Sequence, residues 1–481
     1  MKKIVISLLI IIFILFLWSF IDREEETTVN TNVERQDIRY SLINMPSNLL
    51  EVSNLSIREQ DIISAISRGL VKKDSKGKII CDLAESYEKK DNGLEYVFKL
   101  RKDIYWSDGA RINARDVWKF FKELIEVSDE KDIKALLNVY GVSNYKNGIG
   151  SFNENVAIHI DNDSIKFRLN EISENFVDEL TKIKYRIREN LNLWRDINKN
   201  YKQIRYSGDY FIDNISEDSI SIIAVKDKTK KVFFINDISK ETAMAKYYMG
   251  ERDIIFSPPL SEVRRMEKDK VIKCELNTGL YLGINEQKIP INSRRLIYRD
   301  INQAIDAYEE ESCEQITNSK GCYFREEINN LNLVQDRKVF INNIEAGGDI
   351  EGNIIINAKK DEKNREICEY LSEWFKKNKN YNIKYYLLNE EEFEEKLNDK
   401  YTIVLINSDD DKFYSYIEKI YKDSNSEKMN KEEFKRLENI FLLKCQIIPV
   451  CYFNENLCLS EKINKLVLDY YYNIDFAALK Y

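Results

Sequence analysis

The chain has 481 residues and one histidine, His159. A zinc site of the H-E-x-x-H type and a pair of catalytic histidines are therefore excluded. Residues 156–160 have the pattern of a strand, which places His159 on its polar face, and a Ser-His-Asp role is the alternative. Because no G-x-S-x-G, G-x-x-x-x-G-K-S/T or G-x-G-x-x-G motif occurs, enzymes that depend on these motifs are excluded.

Three acidic clusters offer the pair of carboxylates that an acid–base hydrolase needs. They lie at residues 309–311, 390–392 and 409–411. Runs of like charge are usually solvated faces or loops, and this is our interpretation of all three. A hydrolase that uses clustered carboxylates stays as one alternative function.

The eight cysteines are too few for a disulfide scaffold over this length, and none forms a C-x-x-C pair. A zinc ribbon is therefore excluded, and we predict no metal and no cofactor. Cys313 and Cys322 flank a short loop, which leaves a disulfide between them open. Cys451 and Cys458 fall on opposite faces of a predicted hairpin, so we predict no bridge there.

The composition is that of a large folded protein. Lys and Arg number 74 against 82 Asp and Glu, the net charge is −8, and the two signs are interspersed. Binding to nucleic acid through phosphate neutralisation is therefore not predicted. At about 150 residues per domain, the length indicates two to four domains.

The first residues predict a membrane anchor. Residues 4–21 carry no charge, and Lys2 and Lys3 precede them. As a helix they would reach about 27 Å, enough to cross the core of a bilayer. The lysines favour a cytoplasmic N-terminus, so we expect a single-pass protein of the cell membrane with residues 22–481 on the extracytoplasmic face. A cleaved signal peptide is the alternative, and residues 22–36 have the composition of a polar stalk.

Three stretches of the chain predict strands and helices. Residues 94–100 alternate as a strand, Asp108 and Gly109 form a turn, and Asn113 with Asp116 is the capping box of an amphipathic helix. Residues 353–358, 383–388 and 401–406 predict three strands separated by helices, which is the pattern of a parallel sheet. Residues 447–453 and 457–460 predict a hairpin that turns at residues 454–456. The fold class is therefore α/β, with mixed sheets and at least two lobes.

Short motifs along the chain resemble, in order and spacing, those of the extracytoplasmic solute-binding proteins of peptide ABC importers, family 5. The resemblance covers roughly residues 38–479, nearly the whole predicted outer part. Its segments are residues 68–71, 83–87, 98–101, 106–109, 114–117, 139–141, 207–210, 249–254, 281–285, 304–306 and 447–452.

The resemblance implies a type II periplasmic-binding-protein fold, with two α/β lobes joined by two strands. Lobe I would comprise about residues 37–71, 157–270 and 460–481, an inserted domain about 72–156, and lobe II about 271–459. It also implies a function without catalysis, in which a monomer captures an extended peptide between its lobes and passes it to an ABC permease.

The same resemblance suggests residues of the site. Asp409 follows the strand at residues 401–406 and would pair with the α-ammonium of a peptide, unless it belongs to a solvated loop. Tyr140 would line the cleft, unless it is an ordinary packed tyrosine. Asn407 and Ser408 would offer backbone groups to the peptide.

The second lobe departs from the family pattern. Ile406 stands near the place of a typical arginine, and residues 304–353 and 416–449 form shorter segments than the family has. The departures lie on the ligand side, so the alternative function is that of a degenerate member that serves as a membrane-anchored sensor or interaction protein.

Overall fold

The computed structural model describes residues 37–481 except 75, 267–270, 313–314, 344–349, 351–352, 398, 408–410, 421–428 and 430. The described strands form three sheets. In chain order they are β1 Asp37–Leu42, β2 Val71–Lys73, β3 Ile79–Cys81, β4 Ala84–Lys90, β5 Glu95–Leu100, β6 Ile158–Asp161, β7 Ser164–Arg168, β8 Tyr210–Ile215, β9 Ser219–Ala224, β10 Lys231–Asn236, β11 Ile254–Phe256, β12 Val271–Ile284, β13 Ile316–Asn318, β14 Asn353–Lys359, β15 Asn382–Leu388, β16 Tyr401–Asn407 and β17 Ile447–Leu459.

Helices pack against the strands of the main sheet. The longer ones are Ile57–Ile66, Ala114–Val127, Val142–Lys146, Lys240–Tyr248, Ile291–Glu311, Leu331–Asn342, Glu362–Asn378, Glu390–Lys396, Asp411–Ile420 and Lys431–Lys444. Single helical turns are Lys134–Leu137, Phe152–Asn155, Phe176–Glu179, Ile197–Asn200 and Leu260–Val263. Within the described ranges, no helix combines the length and the apolar character that crossing a bilayer requires. The anchor and the stalk predicted for residues 4–36 lie outside these ranges.

One sheet of eleven strands runs through the molecule. Its order is β15-β14-β16-β12-β17-β11-β1-β10-β9-β8, and β13 pairs with β17 outside this path. We use lobe I for the part with β1 and β8–β11, and lobe II for the part with β13–β16. The long strands β12 and β17 pair with each other along both parts, so they connect the lobes. This mixed sheet confirms the α/β fold class.

Each lobe has its own apolar core. Strands β1, β8, β9 and β10 share one buried cluster with the helix Ala114–Val127 and the small sheet β4-β5-β7-β6. The apolar residues of lobe II form a second cluster, from Leu276 to Phe453. The small sheet reaches Arg168 through β6 and β7, whereas the inserted domain predicted from the motifs ends at residue 156. We use inserted domain for this small sheet together with the helix Ala114–Val127, and the bounds expected for the domain and the lobes stay predictions.

The β-α-β-α-β pattern of lobe II is confirmed. Strand β14 is parallel to both β15 and β16, and the helices Glu362–Asn378 and Glu390–Lys396 connect the three strands. The capping box of the helix Ala114–Val127 is also present, because the Asn113 side chain accepts from the amides of Arg115 and Asp116. Local sequence determines such features, and they form as predicted.

The predicted hairpin near residue 455 is wrong. Strand β17 continues from Ile447 to Leu459 without a turn. The polar residues at its middle are held by distant partners: Asn454 Nδ2 donates to Thr317 Oγ1 at 3.0 Å, and its Oδ1 accepts from Arg325 Nη2 at 2.6 Å. These tertiary bonds outweigh the local preference of Asn for turns.

His159 lies on β6 with its side chain exposed, as predicted. Cys451 and Cys458 are buried free thiols, which confirms that they do not pair, although the reason differs because both lie on one continuous strand. Cys322 is a buried free thiol, and Cys313 lies outside the described residues.

Candidate functional site

A cavity of about 230 Å³ opens between the two lobes. Lobe I presents the carboxyl ends of β1 and β11 to it, and lobe II presents the first turn of the helix Glu362–Asn378, which follows β14. Ligands of open α/β sheets bind at such strand ends. The lining residues are Ser41, Leu42, Ile43, Asn44, Ser56, Arg58, Glu59, Lys240, Phe256, Ser257, Tyr308, Gln315, Glu362, Lys363, Glu366, Phe453, Asn454, Glu455 and Asn456.

A buried ion pair fixes the lobe I edge of the cavity. Asp237 binds Arg252 through two bonds of 2.8 Å and Lys246 through a third of 2.8 Å. The same carboxylate accepts from Ser41 Oγ at 2.7 Å, which holds the end of β1. Burial alone would raise the pKa of Asp237, but these donors outweigh it and the pKa lies below its ordinary value.

Arg58 is the central cation on the lobe I side. It lies in the first turn of the helix Ile57–Ile66, where the guanidinium contacts Asp61 at 3.0 Å and covers the Phe256 ring at 3.8 Å. Its Nε is 3.4 Å from Glu455 Oε2 on β17. Burial is the largest effect on Asp61 and raises its pKa to about 6, although Arg58 and Tyr40 favour the ionised form.

Glu455 lies where β17 passes from one lobe to the other. Its Oε1 accepts from Ser257 Oγ at 3.2 Å, and the Ser257 amide donates to the carbonyl of Asn456 at 2.7 Å. Asn456 is only 5% exposed, yet its Nδ2 has no hydrogen-bond partner among the described residues. Both residues line the cavity, and as consecutive residues of one strand their side chains point to opposite faces of the sheet.

Lobe II contributes charge of both signs. Lys363 Nζ lies 4.8 Å from the centre of the Phe453 ring, and desolvation lowers the pKa of this lysine. Desolvation also raises the pKa of Glu366, one turn further along the helix. Lys240 of lobe I reaches Glu362 at 3.7 Å, so a salt bridge joins the lobes at the cavity wall.

The arrangement is suited to recognition by charge and hydrogen bonding. Three cations and four carboxylates line the cavity, so it can face both ends of a zwitterion. Within the described ranges, no group of three or more His, Cys, Asp or Glu side chains is placed to hold a metal ion.

The residues predicted from the motifs lie in different places. Tyr140 is 59% exposed on the inserted domain and is not part of the cavity wall. The backbone of Asn407 ends β16 and pairs with Thr278 of β12. Ser408 and Asp409 lie outside the described residues. The role of all four in binding stays a prediction.

Sequence reasoning missed Arg58, Lys363 and Glu455. The sequence carries a signal for Glu455, because the polar triplet at residues 454–456 interrupts an otherwise apolar strand. The same triplet also has the composition of a turn, and a turn is what the sequence predicts. Arg58 and Lys363 each lie in the first turn of a helix, where nothing in the local sequence separates a cavity residue from a solvated one.

Comparisons with known proteins find similar sequences and similar folds. Residues 78–306 match the family model of bacterial extracellular solute-binding proteins, family 5 Middle. The oligopeptide-binding protein AliB of Streptococcus pneumoniae is 29% identical over 149 residues, and this match covers 29% of the chain but only 22% of AliB. The periplasmic murein peptide-binding protein MppA of Escherichia coli is 22% identical over 55% of the chain and 52% of MppA.

Solved structures extend the likeness of the fold to nearly the whole chain. The alignment with the structure of Escherichia coli MppA covers 92% of this chain and 99% of the MppA chain, with a TM-score of 0.62 and 15% identity. NikA from Brucella suis, in complex with Fe(III)-EDTA, has the same coverage with a TM-score of 0.71 and 13% identity. The mixed-sheet fold is that of the periplasmic binding proteins, and the chain is similar, over residues 78–306, to family 5 of the bacterial extracellular solute-binding proteins.

Proposed function

We propose that this protein binds a short peptide between its two lobes and delivers it to an ABC importer. The observation that carries the proposal is the interlobe cavity, whose walls hold charges of both signs at the carboxyl ends of the strands. The peptide-binding proteins AliB and MppA, which the chain resembles, support this choice of ligand.

The charges suggest how a free peptide is held. Glu455 and Glu366 are acceptors for its α-ammonium, and Lys363 is a donor for its carboxylate. Asp409 is a further candidate for the ammonium, since it follows the carboxyl end of β16. Peptides that lack both terminal charges cannot form these charge-assisted hydrogen bonds, so we expect them to bind weakly.

The two connecting strands provide the means of closure. The pairing of β12 with β17 is interrupted between Glu275 and Gly279, between the segment of β17 that pairs with β11 and the segment of β12 that pairs with β16. Such an irregularity removes ladder hydrogen bonds and lets a strand bend locally. We propose that the lobes close on the peptide by bending here and thereby exclude water.

The protein would act outside the cytoplasm. In this proposal the helix predicted at residues 4–21 tethers it to the cell membrane, and the permease of the importer is its partner. The protein is then a carrier without catalysis, and its affinity for peptide decides what the cell takes up.

A thermal-shift and calorimetric screen tests the proposal. The ligands are di- to pentapeptides, each with free termini and with an acetylated N-terminus and amidated C-terminus. Free peptides should raise Tm and the blocked forms should not, because only binding to the native state raises the midpoint. The variant Glu455→Gln should weaken binding at least tenfold, whereas Glu373→Gln, an exposed change in lobe II, should not. No shift with any peptide would overturn the proposal.

A further inference from the structure

A second cavity, of about 180 Å³, lies between lobe I and the inserted domain. It shares no lining residue with the interlobe cavity. The short turn Val52–Asn54, the end of the helix Ala114–Val127 and the side of Arg188 form its wall. The proposed peptide site makes no use of this cavity.

Arg188 is unusual in its surroundings. Its side chain is buried, with the residue only 1% exposed, and its Nη1 donates to the carbonyl of Leu49 at 2.7 Å. Nη2 donates to the carbonyl of Lys184 at 3.4 Å, and the guanidinium lies 5.5 Å from the Trp194 ring. Nε has no acceptor among the described residues. All of its contacts are with neutral groups.

The other buried arginines of the described chain each have a carboxylate partner. These pairs are Arg252 with Asp237 at 2.8 Å, Arg294 with Glu286 at 3.9 Å, Arg325 with Glu275 at 3.5 Å and Arg337 with Glu438 at 2.5 Å. Within the described ranges, Arg188 has no such partner. Burial lowers its pKa to about 9, so the guanidinium is still protonated at neutral pH. A buried charge without a counterion is costly, and an anion from solution would remove that cost.

The charges around the cavity restrict the anion. Lys184 also lines it, and its ammonium lies 5.2 Å from the Tyr185 ring. Glu51, Asp129 and Asp132 line the same space. Three carboxylates disfavour a dianion such as sulfate but are compatible with a ligand that has a cationic group as well.

We propose that this cavity is a second ligand site, for a small zwitterion of the amino-acid class whose carboxylate is the counterion of the Arg188 guanidinium. The ammonium of the ligand then faces Glu51, Asp129 and Asp132. The site lies apart from the peptide cleft, so the protein carries a small-molecule ligand independently of its peptide.

Fluorine NMR on the full-length chain tests this assignment, with trifluoroacetate as the carboxylate probe. The probe should broaden on binding, and glycine should reverse the broadening at lower concentration than sulfate does. Arg188→Met should weaken the binding of glycine at least tenfold. The matched control Arg115→Met changes an exposed arginine far from the cavity and should bind as the unaltered protein does.

A second variant covers the case in which Arg188→Met does not fold. Val127→Trp fills the cavity from the end of the Ala114–Val127 helix and leaves Arg188 in place, so it should also abolish displacement by glycine. Displacement that is unchanged in Val127→Trp would overturn the proposal. Displacement by sulfate but not by glycine would overturn the assignment to a zwitterion.

Discussion

At the scale of single residues, the buried carboxylate of Asp237 should make the stability depend on pH. Its pKa is lower in the folded chain than in the unfolded chain, where it is about 3.9. The ionised form therefore stabilises the fold above about pH 4, and this contribution is lost as the pH falls through the folded pKa. We expect Asp237→Asn to lower the free energy of unfolding by about 2 kcal/mol at pH 7.

Urea unfolding at pH 7, 5 and 3.5 measures this effect. The difference between Asp237→Asn and the unaltered protein should be full at pH 7 and smaller at pH 3.5. Asp218→Asn, at an exposed position of the same lobe, is the control and should have no effect at any of the three. A difference that grows as the pH falls would contradict the assignment.

Arg58 and Lys240 allow a buried and an exposed cation of the same cavity to be compared. Arg58→Met leaves the fully buried Asp61 without its cation and should cost about 3 kcal/mol of stability. Lys240→Met removes a pair whose side chains are 37% and 73% exposed and should cost less than about 0.5 kcal/mol. Chemical denaturation measures both changes. Equal losses of stability would contradict the view that Arg58 balances the buried charge of Asp61.

Single residues were predictable where their role is local. His159 on the polar face of its strand and Asn113 at its helix terminus required no knowledge of distant partners. Arg58 and Glu455 are 397 positions apart in the sequence numbering and meet only through the sheet, so no local pattern could join them. Most residues of the cavity likewise come together only through the fold.

At the scale of elements, the capping box of the helix Ala114–Val127 should contribute measurably to stability. Asn113 Oδ1 accepts from the amide of Arg115 at 2.8 Å, which satisfies a free donor of the first turn. Asn113→Ala should lower the free energy of unfolding by about 1 kcal/mol. Asn153→Ala, an exposed change in the same domain, is the control, and denaturation by urea measures both. Equal effects would contradict a capping role.

The elements of lobe II show where prediction from sequence works and where it fails. Strands β14, β15 and β16 follow one another closely, and their apolar runs alone identified them. Strand β17 pairs with β11, β12 and β13, none of which is its neighbour in the sequence. Its polar middle is stabilised by those partners, and this is why a turn was predicted there.

At the scale of the whole molecule, the break in the β12–β17 ladder predicts a change of shape on binding. If the lobes bend there, a peptide that raises Tm should also lower the radius of gyration in small-angle X-ray scattering. The double variant Glu455→Gln with Lys363→Met should bind poorly and keep the larger radius at the same peptide concentration. A saturating peptide that leaves the radius unchanged would mean that the cleft is rigid.

Lobe I is assembled from segments near both ends of the described sequence. Asp61 accepts from the amide of Ile474 at 2.7 Å, and Ile463, Phe476 and Leu479 belong to the same core as β1. Lobe II, by contrast, draws its core from one continuous stretch. During synthesis from the N-terminus, lobe II can therefore close before lobe I receives its final segment. The early part of lobe I lacks the contacts of residues 463–479 until synthesis is nearly complete, so its core is the last to be filled.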